Sequence, residues 1–368
     1  MINQLSDLPI RQKVGQLFFI GIAGPEMDDA TRDFLASVAP GGICLFARNI
    51  RDAQQTRTLN DAIRHVSPIA PFISLDQEGG TVDRLRRIVT PMSAAGRIRS
   101  AVEAAQMASL IAELISILGF NMNFAPVVDV VDERRSGSSN GLFTRPFGRS
   151  KEDVVELAGG FLNQMQDKGI IGCLKHFPGL GAATVDSHEE LPVVDISRDE
   201  LFGIDLYPYR ELFAGGQVHA VMAAHACFPE VDLQETGQDG KLLPSSLSFN
   251  FLTTLLRGEL KFSGLTITDD LEMGAIVKNY GVGEACKLAI RAGADMLAIC
   301  AGENAILEGF EAVLNAVETG EIAEARIDSA IERIEGLKAQ LVPASEFDID
   351  RIDEISADIA AFNERISA

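Results

Sequence analysis

The sequence predicts an α/β fold, a (β/α)8 barrel carried as a single domain with a C-terminal helical appendage. Two observations predict it: eight short apolar runs separated by helical patterns, and polar residues gathered at the C-terminal ends of those runs. A doubly wound open sheet would usually carry a Gly-rich phosphate turn after its first strand. Here Gly21-Ile22-Ala23-Gly24 lacks the GxGxxG form.

The runs taken as strands are residues 16–22, 42–46, 72–75, 123–128, 170–174, 220–224, 265–268 and 296–300. The wider apolar stretch from Val14 to Ala23 reads as part of the first of them. Between the runs, apolar residues recur near i, i+3, i+4 over 51–66, 100–118, 151–168, 198–213, 246–260 and 283–292, the spacing of a helix with one buried face. Ser100 and Glu103 form a capping-box pair at the start of the second helix. Further helices are expected over 304–318 and 323–341, and Pro343 breaks the pattern before an acidic end segment. The expected division is a barrel over residues 1–342 and an acidic helical tail over 343–368.

A hydrophobic fraction of 46% in 368 residues is ample for one large core. The net charge of −21 argues against nucleic-acid and anionic-membrane partners, because phosphate surfaces are read by clustered Lys and Arg. Five cysteines without CxxC spacing suit buried thiols in a reducing compartment. The N-terminus has no basic segment leading into an apolar stretch, and no run approaches the ~18 consecutive apolar residues of a membrane span. A cytoplasmic monomer is the expectation.

Chemistry concentrates after the run 170–174. Lys175-His176-Phe177-Pro178-Gly179 and, one short loop on, Asp186-Ser187-His188 bring a cation, two imidazoles and a carboxylate to the end of a buried strand. Residues two apart in extended backbone point the same way, so Asp186 can hold one nitrogen of His188, favouring imidazolium. At the end of the run 265–268 stand two adjacent carboxylates, Asp269 and Asp270. Alternation sends them opposite ways and leaves open which faces the barrel mouth. Glu78, in Asp76-Gln77-Glu78-Gly79-Gly80, reads as part of a turn with a structural role, and His225 as lining the mouth.

These motifs, with Asn123-Phe124-Ala125-Pro126, Arg145-Pro146-Phe147-Gly148 and Thr268-Asp269-Asp270 in the same order, closely resemble glycoside hydrolase family 3, specifically its single-domain β-N-acetylglucosaminidases. The resemblance implies a retaining exo-acting enzyme that releases terminal β-linked GlcNAc, a small-molecule carbohydrate, from muropeptides or chitooligosaccharides, with no cofactor and no metal. It implies Asp269 as nucleophile, His188 as acid/base oriented by Asp186, and Asp76, Arg84, Arg145, Lys175 and His176 as sugar-binding residues. A β-glucosidase or β-xylosidase of the same family is the alternative, and a non-catalytic sugar-binding barrel a remoter one. The family's loop commonly continues with a second histidine and an aspartate where this chain has Leu180 and Ala182. With glycines around Pro178, residues 179–188 are therefore expected to be weakly anchored.

Overall fold

The computed structural model describes residues 5–137, 141–186, 190–237 and 240–367. Eight parallel strands form the barrel: β1 (Phe18–Ile20), β2 (Gly42–Cys44), β3 (Phe72–Leu75), β4 (Met122–Asn123), β5 (Ile171–Phe177), β6 (Ala220–Ala223), β7 (Leu265–Thr268) and β8 (Leu297–Ile299). From β1 to β7 each pairs with the next, and β8 pairs with β1 through Phe18 and Leu297. The remaining seam closes where Ile267 bridges Met296, just ahead of β8.

Alternation along β1 shows how the layers fill. Phe18 packs edge-on against Phe310 of the outer helix Glu303–Glu318. Phe19 turns the other way, into the barrel, where it meets Phe72 and Phe124 at 6.4 and 5.0 Å between ring centroids. Gly42 makes room for that ring, since a Cβ there would lie 2.6 Å from its carbons.

Five strands are shorter than their apolar runs, β1 and β4 most of all. The stretch from Val14 begins inside a helix, Ile10–Gln16, entered through Pro9, and only Phe18–Ile20 is extended. In the fourth run the regular strand ends at Asn123, but Phe124 still donates to the Leu75 carbonyl, and the Ala125 and Pro126 carbonyls accept from Cys173 and Lys175. Pro126 itself has no N–H to donate, and Val127 bridges Lys175 beyond it. The helix expected over 198–213 is interrupted for a similar reason. Arg198–Glu200 opens under a Ser197 capping box and loosens into wider turns over Leu201–Asp205. A new helix, Tyr207–Ala214, begins with Pro208 in its first turn. Among the helices not anticipated is Asp29–Val38, whose cap is Asp28 accepting from the Thr31 N–H. At Ser100 the hydroxyl accepts from the Glu103 N–H as expected, but the Glu103 carboxylate reaches past it to the Arg99 N–H.

The C-terminal segment is a helix, Ile349–Ser367, that lays Ile352, Ile355, Ile359 and Phe362 onto the barrel, against the helix Ala101–Ile117. It also holds residues 90–93. Ser356 accepts from the Thr90 N–H at 2.9 Å, and Asn363 accepts from the Ser93 N–H and donates to the Pro91 carbonyl. Among the described residues no helix is long and apolar enough to cross a membrane.

On the opposite, N-terminal face, half-buried Lys338 turns its ammonium inward. It donates to Gln16 Oε1 at 2.7 Å and lies 5.4 Å from the Phe72 ring, with burial pushing its pKa from 10.5 down to about 7. Between those two values the unfolded chain carries a proton that the folded one has released, so stability must rise with pH across that window. Below about 7 the cost of keeping the ammonium charged inside is fully present. Lys338→Met is therefore expected to flatten the rise in unfolding free energy between pH 7 and 10 by about 1–2 kcal/mol, a figure discounted for partial exposure. Urea titrations across that range check it, and equal slopes in the two proteins would refute it.

Candidate active site

At the C-terminal mouth of the barrel lies a cavity of about 280 Å³, lined by Asp76, Arg84, Arg145, Lys175, His176 and Asp269 together with apolar walls that include Phe46 and Met222. A roomier hollow of about 640 Å³ sits outside the barrel, between Asp29–Val38 and the helix Ala53–Val66, away from the strand ends. The mouth is the chemically equipped one. Asp76 follows β3, Lys175 and His176 are the fifth and sixth residues of β5, and Asp269 follows β7, so strand register alone brings residues almost 200 positions apart to one rim.

The charged residues form one continuous chain. Arg84 lies 3.4 Å from Asp76, Asp76 accepts from Lys175 Nζ at 2.7 Å, and Lys175 lies 2.6 Å from Glu78. Glu78 in turn takes two parallel bonds from Arg145, at 2.8 and 3.0 Å. Arg145 then approaches His176 Nε2 at 3.4 Å, and His176 Nδ1 meets Asp129 at 2.7 Å. With a carboxylate at Nδ1 and a guanidinium at Nε2, the consistent tautomer has Nδ1 donating and Nε2 accepting. Three cations alternate with three carboxylates, so the buried set is neutral overall.

Burial opposes charging these groups, yet the neighbours outweigh it. Asp76 is held well below the usual carboxylate range by Lys175 and Arg84, and Glu78 is lowered by Lys175 and Arg145. Lys175 is raised by Asp76 and Glu78, and Arg145 by Glu78. All four stay ionised at neutral pH, a fixed polar wall suited to the hydroxyls of a pyranose.

The hairpin that presents Glu78, Gln77–Gly79 with Val82–Asp83, is clamped from both sides. Gln77 and Asn123 of β4 exchange a reciprocal pair of bonds at 3.0 Å, and Gln77 also reaches Asp83 at 2.9 Å. Gly79 and Gly80 have φ of 87° and 61°, the left-handed turn that a Cβ resists, and Gly79 passes close to the Ser93 carbonyl. The structural reading of Glu78 was thus incomplete: it is the carboxylate that holds two of the predicted sugar-binding cations. Nothing local in the sequence pairs it with residues 67 and 97 positions away.

Asp269 fixes its backbone to β6 by donating its N–H to the Ala223 carbonyl, and its Oδ1 accepts from the Asp270 N–H at 2.9 Å. Asp270 also lines the cavity, so alternation does not separate the two side chains as expected. Asp270 Oδ1 accepts from the Glu272 and Cys300 N–H groups, tying the turn after β7 to the end of β8, and burial, with Glu272 and Asp269 nearby, pushes its pKa up to about 7. His225 does not line the mouth: it is fully buried, with Nδ1 against Ser246 Oγ at 2.6 Å and Nε2 on the Asp270 carbonyl at 3.1 Å.

His188 lies outside the described residues, with Ser187 and Glu189. Its expected partner Asp186 packs on Gly141, where a Cβ would sit 2.5 Å from the carboxylate. The start of the same loop is not weakly anchored. Leu180 is buried and its N–H donates to Asp129 at 2.6 Å, Gly181 runs tight against the Val130 carbonyl, and Ala183 bonds back to Leu180. The residue substituted for a polar one is an apolar anchor instead. Gly179, at φ 135°, packs on Asp205, which takes two bonds from Arg135.

Residues 9–337 match the family profile described as the glycosyl hydrolase family 3 N terminal domain. A protein named beta-hexosaminidase from Tolumonas auensis is 34% identical over 300 residues, 79% of this chain and 86% of its own length. Another of that name from Pseudomonas aeruginosa is 36% identical over 288 residues, covering 76% and 81%. Among solved structures, a glycoside hydrolase family 3 beta-N-acetylglucosaminidase from Paenibacillus superimposes with a TM-score of 0.83 at 35% identity, over 96% of this chain and 69% of that one. A family 3 glycosyl hydrolase from Mycobacterium smegmatis does so with 0.80 at 31% identity, over 93% and 100%. With its barrel, its strand-end carboxylate and these likenesses over most of its length, the chain belongs to glycosyl hydrolase family 3 and is a glycoside hydrolase.

Proposed function

We propose that the chain is a retaining exo-β-N-acetylglucosaminidase, that its substrates are GlcNAc-terminated cell-wall muropeptides or chitooligosaccharides, and that the working unit is the barrel of residues 1–342 with 343–368 docked on it as a helical extension. The observation that carries this reading is Asp269 on the cavity beside the ion-paired set Asp76, Arg84, Arg145, Lys175 and His176. The names of the relatives point to the same sugar.

In this reading the fixed cations and Asp76 bind the hydroxyls of the terminal sugar and hold its anomeric carbon over Asp269. An Asp269 oxygen attacks that carbon as the bond to the leaving oxygen breaks, and His188, kept in register by Asp186, gives its proton to that oxygen. His188 then takes a proton from water, whose oxygen displaces Asp269 and releases the sugar with its original anomeric configuration.

Release of GlcNAc, glucose and xylose from the matching aryl β-glycosides tests the sugar assignment. GlcNAc release should exceed the others by at least about 100-fold, as expected when buried polar groups have lost their partners. Preference for glucose or xylose would replace the reading. For the acid, His188→Ala should lose on the order of 10²–10⁴-fold on alkyl leaving groups and far less on dinitrophenyl, which needs little protonation. Equal losses across leaving-group pKa would take His188 out of that role.

A further inference from the structure

The segment Gly141–Arg145 stands between two parts of the proposed reaction. At one end Gly141 abuts the carboxylate of Asp186, and at the other Arg145 enters the sugar cavity. In the two-step reaction above, on which this inference rests, the leaving oxygen must lie between the sugar and the loop that carries the acid. The group attached to that oxygen then leaves the cavity past this segment.

Midway along it is Phe143, whose surface is 74% exposed and whose φ is 45°. An aromatic residue rarely takes either state, and both together cost stability unless the surroundings enforce them. They do so here on both flanks. Leu142 is buried, its carbonyl accepts from the Arg145 N–H at 2.8 Å, and the Thr144 carbonyl accepts from the Gly96 N–H at 2.9 Å. With its neighbours fixed, the ring is held out at the edge of a second hollow of about 270 Å³, floored by Val131, Asp132 and Ser136.

We propose that Phe143 is a platform for the first sugar ring of the leaving group. An aromatic face offers apolar area to the C–H face of a pyranose, while Asp132 and Ser136 supply acceptors for hydroxyls at its edge. A solvent-exposed ring held at a strained angle has its use when a ligand covers it.

The test compares two donors with the same glycone. N,N′-diacetylchitobiose places a sugar on the platform, whereas N-acetyl-β-glucosaminyl fluoride has a one-atom leaving group that cannot reach it. Phe143→Ala and Phe143→Gly should lower kcat/KM for chitobiose about 10-fold and leave the fluoride within about 2-fold, and Phe143→Trp should restore chitobiose hydrolysis. Phe143→Gly should also raise the unfolding midpoint, since glycine accepts the left-handed angle, so a loss of activity in that variant is not a loss of fold. Equal losses on both donors, or unchanged chitobiose hydrolysis, would overturn the platform. A wild-type protein inert to both donors would instead sink the proposed function, and the platform with it.

Discussion

Asp269→Ala is expected to lower turnover by at least about 10⁴-fold while the protein keeps its fold, because in the proposed reaction Asp269 is the covalent nucleophile and nothing else takes that part. Its backbone bond to Ala223 does not involve the side chain, so the end of β7 stays in place. A 2-fluoro glycosyl inhibitor should trap an adduct on Asp269. Mass spectrometry placing it on Asp270 or Glu272 would reassign the nucleophile. Asp270 is the nearer rival because it too lines the cavity, but its carboxylate already accepts from two backbone N–H groups and is pushed up to about 7, which makes it a poorer anion at neutral pH.

The second large effect is expected at Glu78, which touches no sugar in the proposed reading. Replacing it with glutamine preserves the shape of the hairpin but leaves Lys175 and Arg145 sharing only the charge of Asp76. An unbalanced cation in a buried set costs about 3–5 kcal/mol. Glu78→Gln should lose stability of that order in urea unfolding and should lower kcat/KM by about 10²-fold, with the free cations drifting from their hydroxyl partners. Retention of wild-type kinetics in a destabilised variant would show that Glu78 serves the fold alone. Retention of both would mean that the ion-paired chain does not set the site.

The sequence revealed what is local and concealed what is not. Asp76, Lys175 and Asp269 could be found because each follows or ends a short apolar run, and the end of a barrel strand is the working rim whichever barrel it is. Strands are shorter than their apolar runs because hydrophobicity reports burial, whereas a regular ladder also needs extended backbone in register with its neighbour, and Val14 to Gln16 are buried as part of a helix. Glu78, Asp129 and Asp205 find their partners Arg145, His176 and Arg135 at separations of 67, 47 and 70 residues, and no periodicity encodes such matches. His225 shows the opposite failure: its strand-end position was right, but two residues beyond β6 the chain turns, and the ring follows it inward to Ser246.

The clamp between the C-terminal helix and residues 90–93 also orders events during synthesis. Asp83, which holds Gln77 and so the hairpin of Glu78, accepts from the Met92 N–H, and Met92 lies inside the stretch that Ser356 and Asn363 fasten. Those fasteners are made 266 and 270 residues after the groups they bind. At ribosomal rates of about 5–20 residues per second the delay is roughly 13–54 s. Through that interval the hairpin and the cations it pairs have only part of their frame, and the face later covered by Ile352, Ile355, Ile359 and Phe362 stays open. A chaperone that shields apolar surface has an opportunity there, and the frame of the sugar pocket is completed only once the C-terminal helix has been made.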